Sequence, residues 1–434
     1  MSTTATATAP GRLDFMGGVG DYSGGLVLQV ATSVCTTVVA TLSASPAGAA
    51  EAEDAVALSS EPFGSAVVSL SALRAEAAAP GGLAALSLPG VAASLRSSGH
   101  PFWTLYVFGS LAVFARETGW LPPLGSRLSL AVTSLVPTAQ GVSSSASVEV
   151  AVLRALRALS GLPLGDLRLA HIAQAAENHV VGAPCGLMDQ LASSCGEAGR
   201  VLPITCRPDA LAPTVPLPAS VALVGWPSGV KHSVAGASPY LVARTATFMG
   251  LAIARARAPG VLAGVAHAAE LTPSTLRAQV LPLLPERMRG ADFTAAYGAL
   301  ADAMSVVEPD MDYPVRDALS FPIEESFRCS LAQQLLAVAA REAPGSSAYT
   351  AALSSVGEFM RLGHAGYSAV GLGCDETDAM VERLRALGPA AGIYGARISG
   401  GGSGGTVAVL CERAALPIIE ALSREMTGGT ALIQ

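Results

Sequence analysis

The chain has 434 residues, 51% of them hydrophobic and only 14% charged, and its net charge is −7. This length alone suggests about three domains or two larger ones, and we favour two. The acidic balance and the lack of any basic run disfavour a nucleic-acid partner and an anionic membrane surface, and no apolar run of the sequence reaches the length that spans a bilayer.

The first predicted element is a strand, an irregular loop and a second strand. The loop contains Pro-Gly-Arg12 and, further on, Asp21-Tyr-Ser-Gly-Gly, and strand-like residues begin at 26. Loops on a rigid scaffold often carry binding groups, so Arg12 and Asp21 are candidate functional residues. A surface ion pair between them is the structural alternative. For residues 44–100 we expect variable surface structure with a weak strand signal at 66–70.

An aromatic stripe at helical spacing follows at residues 101–114. Trp103 and Tyr106 belong to it. Such a stripe is first of all core packing, although one edge could be offered to an adenine ring.

The next element joins a strand at 128–136 to a helix through a turn of small residues. Apolar residues recur at helical spacing from Val148 onwards, so Ser143, Ser144 and Ser145 stand at a helix start. The free N–H groups and the helix dipole there suit a polyphosphate, and a serine hydroxyl can reach a metal ion. An ordinary serine-rich helix cap is the alternative.

Two acidic residues lie in the helices that come next. Glu177 falls near the end of a helix that runs from 166 to about 180, and Asp189 falls in the first turn of the helix after a Gly/Pro loop. Asp189 could be a capping acid or a functional carboxylate. Lys231 is the single lysine, and the chain has no G-x-x-x-x-G-K-[ST] motif, so any nucleotide must be held without a Walker loop.

The C-terminal half is predicted to contain two short strands at 201–225, a helix at 242–257 and a mostly helical region at 258–370. Residues 396–410 read as strand, glycine turn and strand. The formal matches to G-x-G-x-x-G and G-x-S-x-G are false positives, because both motifs need a helix after the turn. The glycines instead allow close approach of backbone to a ligand or a phosphate loop.

Cysteine usage and the N-terminus bear on the compartment. The seven cysteines are widely spaced, and no C-x-x-C or zinc-ligand pattern occurs. We therefore expect reduced thiols and no structural zinc. The start of the sequence lacks the basic region and apolar core of a signal peptide, so we expect a cytosolic protein.

Read together, these stretches resemble the three motifs of the GHMP small-molecule kinases, and their order and spacing match the galactokinase branch across nearly the whole chain. Pro-Gly-Arg12 with Asp21-Tyr-Ser-Gly-Gly resembles the galactokinase signature. Gly141-Val-Ser-Ser-Ser-Ala-Ser resembles the phosphate loop, and residues 398–406 resemble the third motif. Within that branch, the stretches around Asp21 and Asp189 and the glycines at 400–405 are closest to the plant-type L-arabinokinases.

The resemblance implies an α/β (α+β) fold of two domains, residues 1–215 and 216–434, with the active site in the cleft between them. It implies a monomeric, ATP-dependent and Mg²⁺-dependent sugar 1-kinase acting on L-arabinose. D-Galactose is the alternative substrate, and a non-catalytic sugar sensor is the alternative class. The chemistry calls mainly for positioning and charge neutralisation.

Carried over residue by residue, the resemblance makes Asp189 the catalytic base with Arg12 beside it. The residues implied to bind the sugar are Gly18, Val19, Asp21, Gly186 and Tyr240. The residues implied to bind the nucleotide are Trp103, Tyr106, Gly141, Ser143, Ser144, Ser145 and Ala146, and the implied magnesium ligands are Ser145 and Glu177.

Three positions depart from the family pattern. Ala139 replaces a glycine of the phosphate loop, which is harmless only if its φ is negative. Tyr240 lies one residue later than the family's sugar-contacting tyrosine, counted from His232. Gly18 and Val19 replace a Glu-His pair that contacts the 6-hydroxyl of galactose, a group that L-arabinopyranose lacks. We therefore expect a higher kcat/KM for L-arabinose than for D-galactose, and the exchange Gly18→Glu with Val19→His should narrow this difference.

Overall fold

The computed structural model describes residues 2–44, 54–183, 185–207, 209–230, 238–302, 304–429 and 433. The chain divides into two compact units, and the division is not a single cut in the sequence. The first unit comprises Met1–Gly11, Ser33–Pro137 and Ser143–Cys195, and the second comprises Arg12–Thr32, Thr138–Val142 and Gly196–Gln434. The predicted domain limits, 1–215 and 216–434, stay a prediction.

Strands and helices alternate along the described chain in the mixed α/β manner that the resemblance implied. The strands are β1 (Ser2–Met16), β2 (Leu26–Ala44), β3 (Ala55–Glu61), β4 (Gly64–Ser69), β5 (Ser126–Ser134), β6 (Arg200–Cys206), β7 (Asp209–Leu211), β8 (Val215–Pro216), β9 (Val221–Pro227), β10 (Met288–Arg289), β11 (Asp312–Tyr313), β12 (Ile393–Ile398) and β13 (Thr406–Glu412). The helices are α1 (Ser71–Ala78), α2 (Leu88–Ser97), α3 (Thr104–Thr118), α4 (Ser144–Ser160), α5 (Asp166–Ala176), α6 (Met188–Cys195), α7 (Pro239–Arg257), α8 (Pro273–Thr275), α9 (Gly290–Tyr297), α10 (Val315–Ala339), α11 (Ser347–Ala369), α12 (Asp375–Leu387) and α13 (Leu416–Thr427).

The first unit is a sheet covered by helices. β3 pairs antiparallel with β4 and parallel with β5, and β5 pairs antiparallel with the second half of β2. Buried and exposed residues alternate along β5, which turns Leu128, Leu130 and Val132 towards the core. The helices α2 to α5 supply the other side of this core, where Leu111 and Val150 are fully buried.

The described part of the second unit contains three further sheet regions, the smallest being the antiparallel pair of β10 and β11. The first half of β2 pairs with β6, which also pairs with β7 and β8. A separate antiparallel sheet has the order β12-β13-β9. All seven residues of β9 are buried, as the burial pattern of that strand shows. Helices α7, α10 and α11 form a core that includes Phe293, Leu319 and Tyr367.

Most predicted elements near the motifs are confirmed. The strand, turn and helix around residues 128–159 are β5 and α4, and the strand, glycine turn and strand at 396–410 are β12 and β13. Residues 44–100 differ from the prediction of variable surface structure, because they include α1 and α2. Leu73 and Leu88 of these helices are 1% and 2% exposed. Their alanine-rich composition weakens the apolar periodicity that reveals an amphipathic helix. Along the described residues, no helix has both the length and the apolar character needed to cross a bilayer.

Candidate active site

The start of α4 is not an ordinary helix cap. Ser143, at the cap position, has a φ of 56°, and its side chain makes no capping hydrogen bond. Its Oγ is buried and has no hydrogen-bond partner among the residues that the structure describes. The capping interpretation of Ser143 is therefore wrong. A buried hydroxyl without a partner at a helix N-terminus is suited to a ligand phosphate oxygen.

The two predicted magnesium ligands lie together in the first unit. Ser145 is on α4, and Glu177 opens a π-helical turn (Glu177–Val181) that directly follows α5. The Ser145 hydroxyl hydrogen-bonds to the Glu177 carboxylate. Gln190 on α6 donates from Nε2 to Glu177 Oε2 at 2.6 Å. Single π-helical turns inside helices are frequent at functional sites, and this one turns the glutamate towards α4 and α6.

The charge state of Glu177 is set by its surroundings. Burial, followed by the negative charge of Asp189, raises the pKa of Glu177 to about 7, although hydrogen bonds from Ser145, Cys185 and Gln190 oppose the rise. A carboxyl group with such a pKa is easily driven to its charged form by a bound cation.

A second buried glutamate was missed by the sequence analysis. Glu149 lies one turn after Ser145 on α4 and has no exposed surface. Neither of its carboxylate oxygens has a hydrogen-bond partner within the described part of the chain. Burial, followed by the charge of Glu177, raises the pKa of Glu149 well above its usual value. The available signal was its i, i+4 spacing from Ser145, which places both on one helix face.

The donor set of the first unit fits Mg²⁺. A serine hydroxyl and a carboxylate are hard oxygen donors, and Mg²⁺ is usually held by one or two protein carboxylates together with substrate phosphates and water. The described residues contain no group of three or more His, Cys, Asp or Glu side chains arranged to hold a metal. The Ser145 and Glu177 pair is therefore suited to a shared site that the nucleotide completes.

Asp189 lies in the first turn of α6, as predicted. Its charge contributes to the raised pKa values of Glu177, Glu149 and Cys185. The preceding loop is fixed by the Cys185 amide, which donates to Asn178 Oδ1 at 2.9 Å. Gly186 follows Cys185 in this loop. Pro184, which precedes Cys185, lies outside the described residues.

The two aromatic candidates lie at the start of α3, and the predicted core packing is confirmed for both. The Trp103 indole donates to the carbonyl oxygen of Phe63 at 3.2 Å. Tyr106 is half-buried, and burial, followed by the charges of Glu177 and Glu149, raises its pKa. Tyr106 therefore lies within electrostatic reach of the two buried glutamates.

In the second unit, Arg12 and Asp21 are 3% and 6% exposed. The surface ion-pair alternative is thus wrong. Arg12 donates from Nη1 to the carbonyl oxygen of Gly141 at 2.5 Å, and its backbone N–H donates to that of Val142 at 3.1 Å. The arginine therefore fixes the segment 138–142, which forms the first part of the predicted phosphate loop.

The glycines of the third motif approach this segment closely, as predicted. A Cβ atom on Gly400 would lie 2.8 Å from the Gly141 carbonyl oxygen, and one on Gly405 would lie 2.9 Å from that of Gln140. Thr406 Oγ1 also donates to Gln140 O at 2.8 Å. Ala139 has a φ of +57°. Its replacement of the family's glycine would be harmless only with a negative φ, so this condition is not met.

Residues 17–25, which we name the glycine loop, carry three predicted sugar-binding residues, Gly18, Val19 and Asp21. Three successive amides of this loop donate to buried side chains. Gly17 donates to Glu325 Oε1 at 3.2 Å, Gly18 to Asp14 Oδ1 at 3.1 Å and Val19 to the Tyr367 hydroxyl at 3.1 Å. The Val19 side chain is 3% exposed and packs in the core of the second unit.

The exchange Gly18→Glu with Val19→His, predicted from sequence to narrow the preference for L-arabinose, meets a steric obstacle at position 18. Gly18 has a φ of +49°, and a Cβ atom on it would lie 1.8 Å from the Tyr367 hydroxyl oxygen. Any side chain at this position therefore collides with Tyr367 before its own polar group can reach a ligand.

The remaining sugar-binding candidates lie near each other in the second unit. Asp21 Oδ1 accepts from the Tyr22 amide at 2.7 Å, and the Tyr22 ring stands edge-on to the Tyr240 ring with centroids 6.1 Å apart. Arg244 lies over the Tyr22 ring at 5.1 Å. Lys231 and His232 lie outside the described residues. The sugar-binding role of Tyr240, which was inferred by counting from His232, therefore stays a prediction.

Three family models match the chain in order. The galactokinase galactose-binding signature matches residues 2–42, the GHMP kinases N terminal domain residues 106–197, and the GHMP kinases C terminal domain residues 348–428. The first and second matches cover the glycine loop and all of α4 to α6.

Similar proteins include an L-arabinokinase of Arabidopsis thaliana, 32% identical over 449 residues that cover 93% of this chain and 42% of that protein. A galactokinase of Actinobacillus succinogenes is 42% identical over 132 residues, 30% of this chain and 33% of that protein. The chain thus spans less than half the length of these relatives.

Solved structures share the fold. The galactokinase of Lactococcus lactis complexed with galactose has a TM-score of 0.71 at 21% identity, over 99% of this chain and 93% of that one. The L. major mevalonate kinase in complex with R-mevalonate has a TM-score of 0.57 at 15% identity, over 99% and 95%. The α/β fold implied by the resemblance is confirmed.

Proposed function

Because the chain belongs to the GHMP kinase family, we propose that it is an ATP-dependent sugar kinase that phosphorylates the anomeric hydroxyl of L-arabinose to give L-arabinose 1-phosphate and ADP. The observation that carries the kinase assignment is the interaction of the half-buried Ser145 hydroxyl with the buried Glu177 carboxylate, at the helix start that also holds the buried Ser143 hydroxyl, which has no partner among the described residues. These groups are suited to a metal-bound polyphosphate.

In this proposal Asp189 accepts the proton of the anomeric hydroxyl while that oxygen bonds to the γ-phosphorus of ATP. The bond between the γ-phosphorus and the bridging oxygen breaks, and ADP leaves with the electron pair. Arg12 steadies the transferring phosphoryl group through its positive charge. Ser145 and Glu177 would hold Mg²⁺ together with the nucleotide phosphates, and the ion would neutralise charge that develops on the leaving group.

The nucleotide-binding residues are proposed from the same elements. Backbone N–H groups at Gly141 and at the start of α4, from Ser144 to Ala146, hold the phosphates together with the Ser143 hydroxyl. Trp103 and Tyr106 offer their ring edges to the adenine.

The choice of L-arabinose rests on the glycine loop. Neither Gly18 nor Val19 carries a polar side chain, and the Val19 side chain is in the core. L-Arabinopyranose has the ring stereochemistry of D-galactopyranose without its C6 group, so it leaves no hydroxyl unpaired against these residues. Asp21, Gly186 and Tyr240 are the proposed contacts to the ring hydroxyls.

A coupled assay of ADP release with L-arabinose, with D-galactose and without sugar tests the proposal. We expect the highest kcat/KM with L-arabinose. A higher value with D-galactose would make the chain a galactokinase, an alternative that the galactose-binding signature favours. If neither sugar stimulated ADP release while both ATP and a sugar bound in calorimetry, the chain would be a sugar sensor. Phosphorus NMR of the product identifies the phosphorylated hydroxyl.

We further propose that the kinase is a cytosolic monomer. Light scattering at several protein concentrations tests the monomeric state.

A further inference from the structure

Tyr367, near the end of α11, touches two of the motifs at once. Its hydroxyl accepts a hydrogen bond from the Val19 amide of the glycine loop at 3.1 Å and donates one to the carbonyl oxygen of Gly400 in the third motif at 2.6 Å. Tyr367 has no exposed surface. A buried hydroxyl that both accepts and donates in this way fixes the distance between the two backbone segments.

We propose that Tyr367 is the positioning residue that shapes the glycine loop for its sugar, and that it determines sugar specificity by excluding every side chain from position 18. This inference deepens the proposed function and rests on it for the identity of the sugar. Tyr367 lies outside the three sequence motifs and within the residues that the GHMP kinases C terminal model matches.

The ring of Tyr367 is itself held rigidly. Phe321 packs edge-on against it with centroids 5.4 Å apart, and the guanidinium of Arg397 lies 5.2 Å from the ring centroid on its face. Arg397 is in turn paired with Glu325, which also accepts the Gly17 amide. The hydroxyl therefore cannot move away to make room, and the glycine loop must adapt to it.

The exclusion at position 18 follows from two observations. Gly18 has a φ of +49°, which disfavours any residue with a Cβ atom, and the Cβ position lies 1.8 Å from the Tyr367 hydroxyl oxygen and 2.7 Å from Cζ. A polar side chain that would contact a hexose 6-hydroxyl from this position thus requires a shorter residue at 367. Tyr367 and Gly18 form a matched pair that favours a sugar without that group.

The positioning role is tested with Tyr367→Phe, which keeps the ring and removes both hydrogen bonds. We expect the KM for L-arabinose to rise about tenfold or more, since two buried backbone groups lose their partner, while the KM for ATP changes less than about threefold. Tyr313→Phe is the matched control, because Tyr313 is also buried and its hydroxyl also accepts a backbone amide, that of Glu308, at 2.9 Å. The control should lower the melting temperature without changing either KM. Equal changes in both KM values for Tyr367→Phe would overturn the positioning role.

The exclusion is tested by a double-mutant cycle of Gly18→Ala and Tyr367→Leu, read by urea unfolding. We expect Gly18→Ala to destabilise the wild type strongly and to destabilise the Tyr367→Leu background much less. Gly345→Ala provides the control for the backbone penalty alone, because Gly345 has a φ of +80° and open space around its Cβ position. Additive effects in the cycle would overturn the exclusion.

These readouts separate the inference from the proposed function. If the wild type phosphorylated neither sugar, the proposed function would fail, and the unfolding cycle would still decide whether Tyr367 excludes side chains from position 18. If L-arabinose were phosphorylated and its KM were unchanged in Tyr367→Phe, the function would stand and the positioning role would fall.

Discussion

Two buried polar clusters, one in each unit, both contain buried glutamate, in opposite electrostatic situations. The acid cluster of the first unit consists of Glu149, Glu177, Cys185 and Gln190, and within the described residues neither glutamate forms an ion pair with an arginine or a lysine. The paired cluster of the second unit consists of Glu325, Arg328, Arg397 and Tyr367, and Glu325 forms ion pairs with both arginines.

The difference appears in the pKa values of two glutamates that are both deeply buried. Burial raises the pKa of Glu177 to about 7, because no cation opposes it. Burial also opposes the charged form of Glu325, but Arg397 and Arg328 outweigh it and lower the pKa of that carboxyl. The partners, and not the burial, decide the charge state. A carboxylate kept without a cation is suited to receive one, whereas a paired carboxylate is suited to hold structure.

The largest effect expected is that of Asp189→Asn. The variant keeps the shape of the side chain and removes the base, so kcat should fall by about 10² to 10⁴. Asp166→Asn is the matched control, because Asp166 also lies in the first turn of a helix, α5, where it can serve as a capping acid. If both variants kept the wild-type kcat, Asp189 would be a capping acid and not the catalytic base.

The paired cluster is broken by Glu325→Gln. Arg397 would keep a buried charge and lose the carboxylate with which it is ion-paired, so we expect the free energy of unfolding to fall by about 3 to 5 kcal/mol. Glu358→Gln is the control, since the Glu358 side chain is 50% exposed and pairs with the exposed Arg361, a kind of pair worth about 0 to 1 kcal/mol. Urea unfolding followed by circular dichroism measures both. Equal losses in the two variants would contradict a structural role for the buried pair.

The two clusters also differ in how far the sequence could predict them. The small residues before α4 and the apolar spacing after them are local signals, and they correctly predicted the strand, turn and helix that hold Ser143 and Ser145. Asp189 was likewise placed in a first turn by the loop before it. These features depend on backbone preferences over a few residues, which a sequence displays directly.

The pairing of Glu325 with Arg397 could not be predicted, because the two are 72 positions apart and meet only when α10 packs near β12. The same reason hid the contact between Tyr367 and Gly18 and made the simple exchange at positions 18 and 19 look feasible. Glu149 could have been found from its spacing to Ser145, but its lack of a hydrogen-bond partner is a property of the packed structure.

The acid cluster is tested next by the pH dependence of Glu177→Gln in the absence of Mg²⁺ and nucleotide. The folded-state pKa of Glu177, about 7, lies above the ordinary value of 4.5, so the fold prefers the neutral form. The stability that Glu177 contributes is complete below pH 4.5 and is lost as pH rises through 7, a change of about 3 kcal/mol. The variant should therefore gain stability relative to the wild type between pH 5 and pH 8.

Urea unfolding across that range measures the gain, and the exposed Glu420→Gln serves as the control. At pH 8, addition of Mg²⁺ with ADP should make the wild type more stable than Glu177→Gln, because the cation stabilises only the carboxylate. The same variant should need more Mg²⁺ for half-maximal activity. A stability difference that did not vary with pH, or an unchanged Mg²⁺ titration, would remove Glu177 from the proposed metal site.

The smallest effect expected is that of Ala139→Gly. This variant tests whether the phosphate-loop segment, like the acid cluster, is destabilised by a feature of its ligand site. Ala139 has a φ of +57°, and a left-handed conformation costs a residue with a Cβ atom about 1 to 2 kcal/mol. Ala139→Gly removes that strain but adds about 0.4 to 1 kcal/mol of unfolded-chain entropy. The net gain in stability should therefore be below about 1.5 kcal/mol, and the KM for ATP should fall slightly as the loop relaxes. Ala212→Gly, at a loop alanine outside the positive-φ residues, should instead lose stability. If both variants lost stability equally, the segment would store no strain, and its conformation would be one that alanine adopts at no cost.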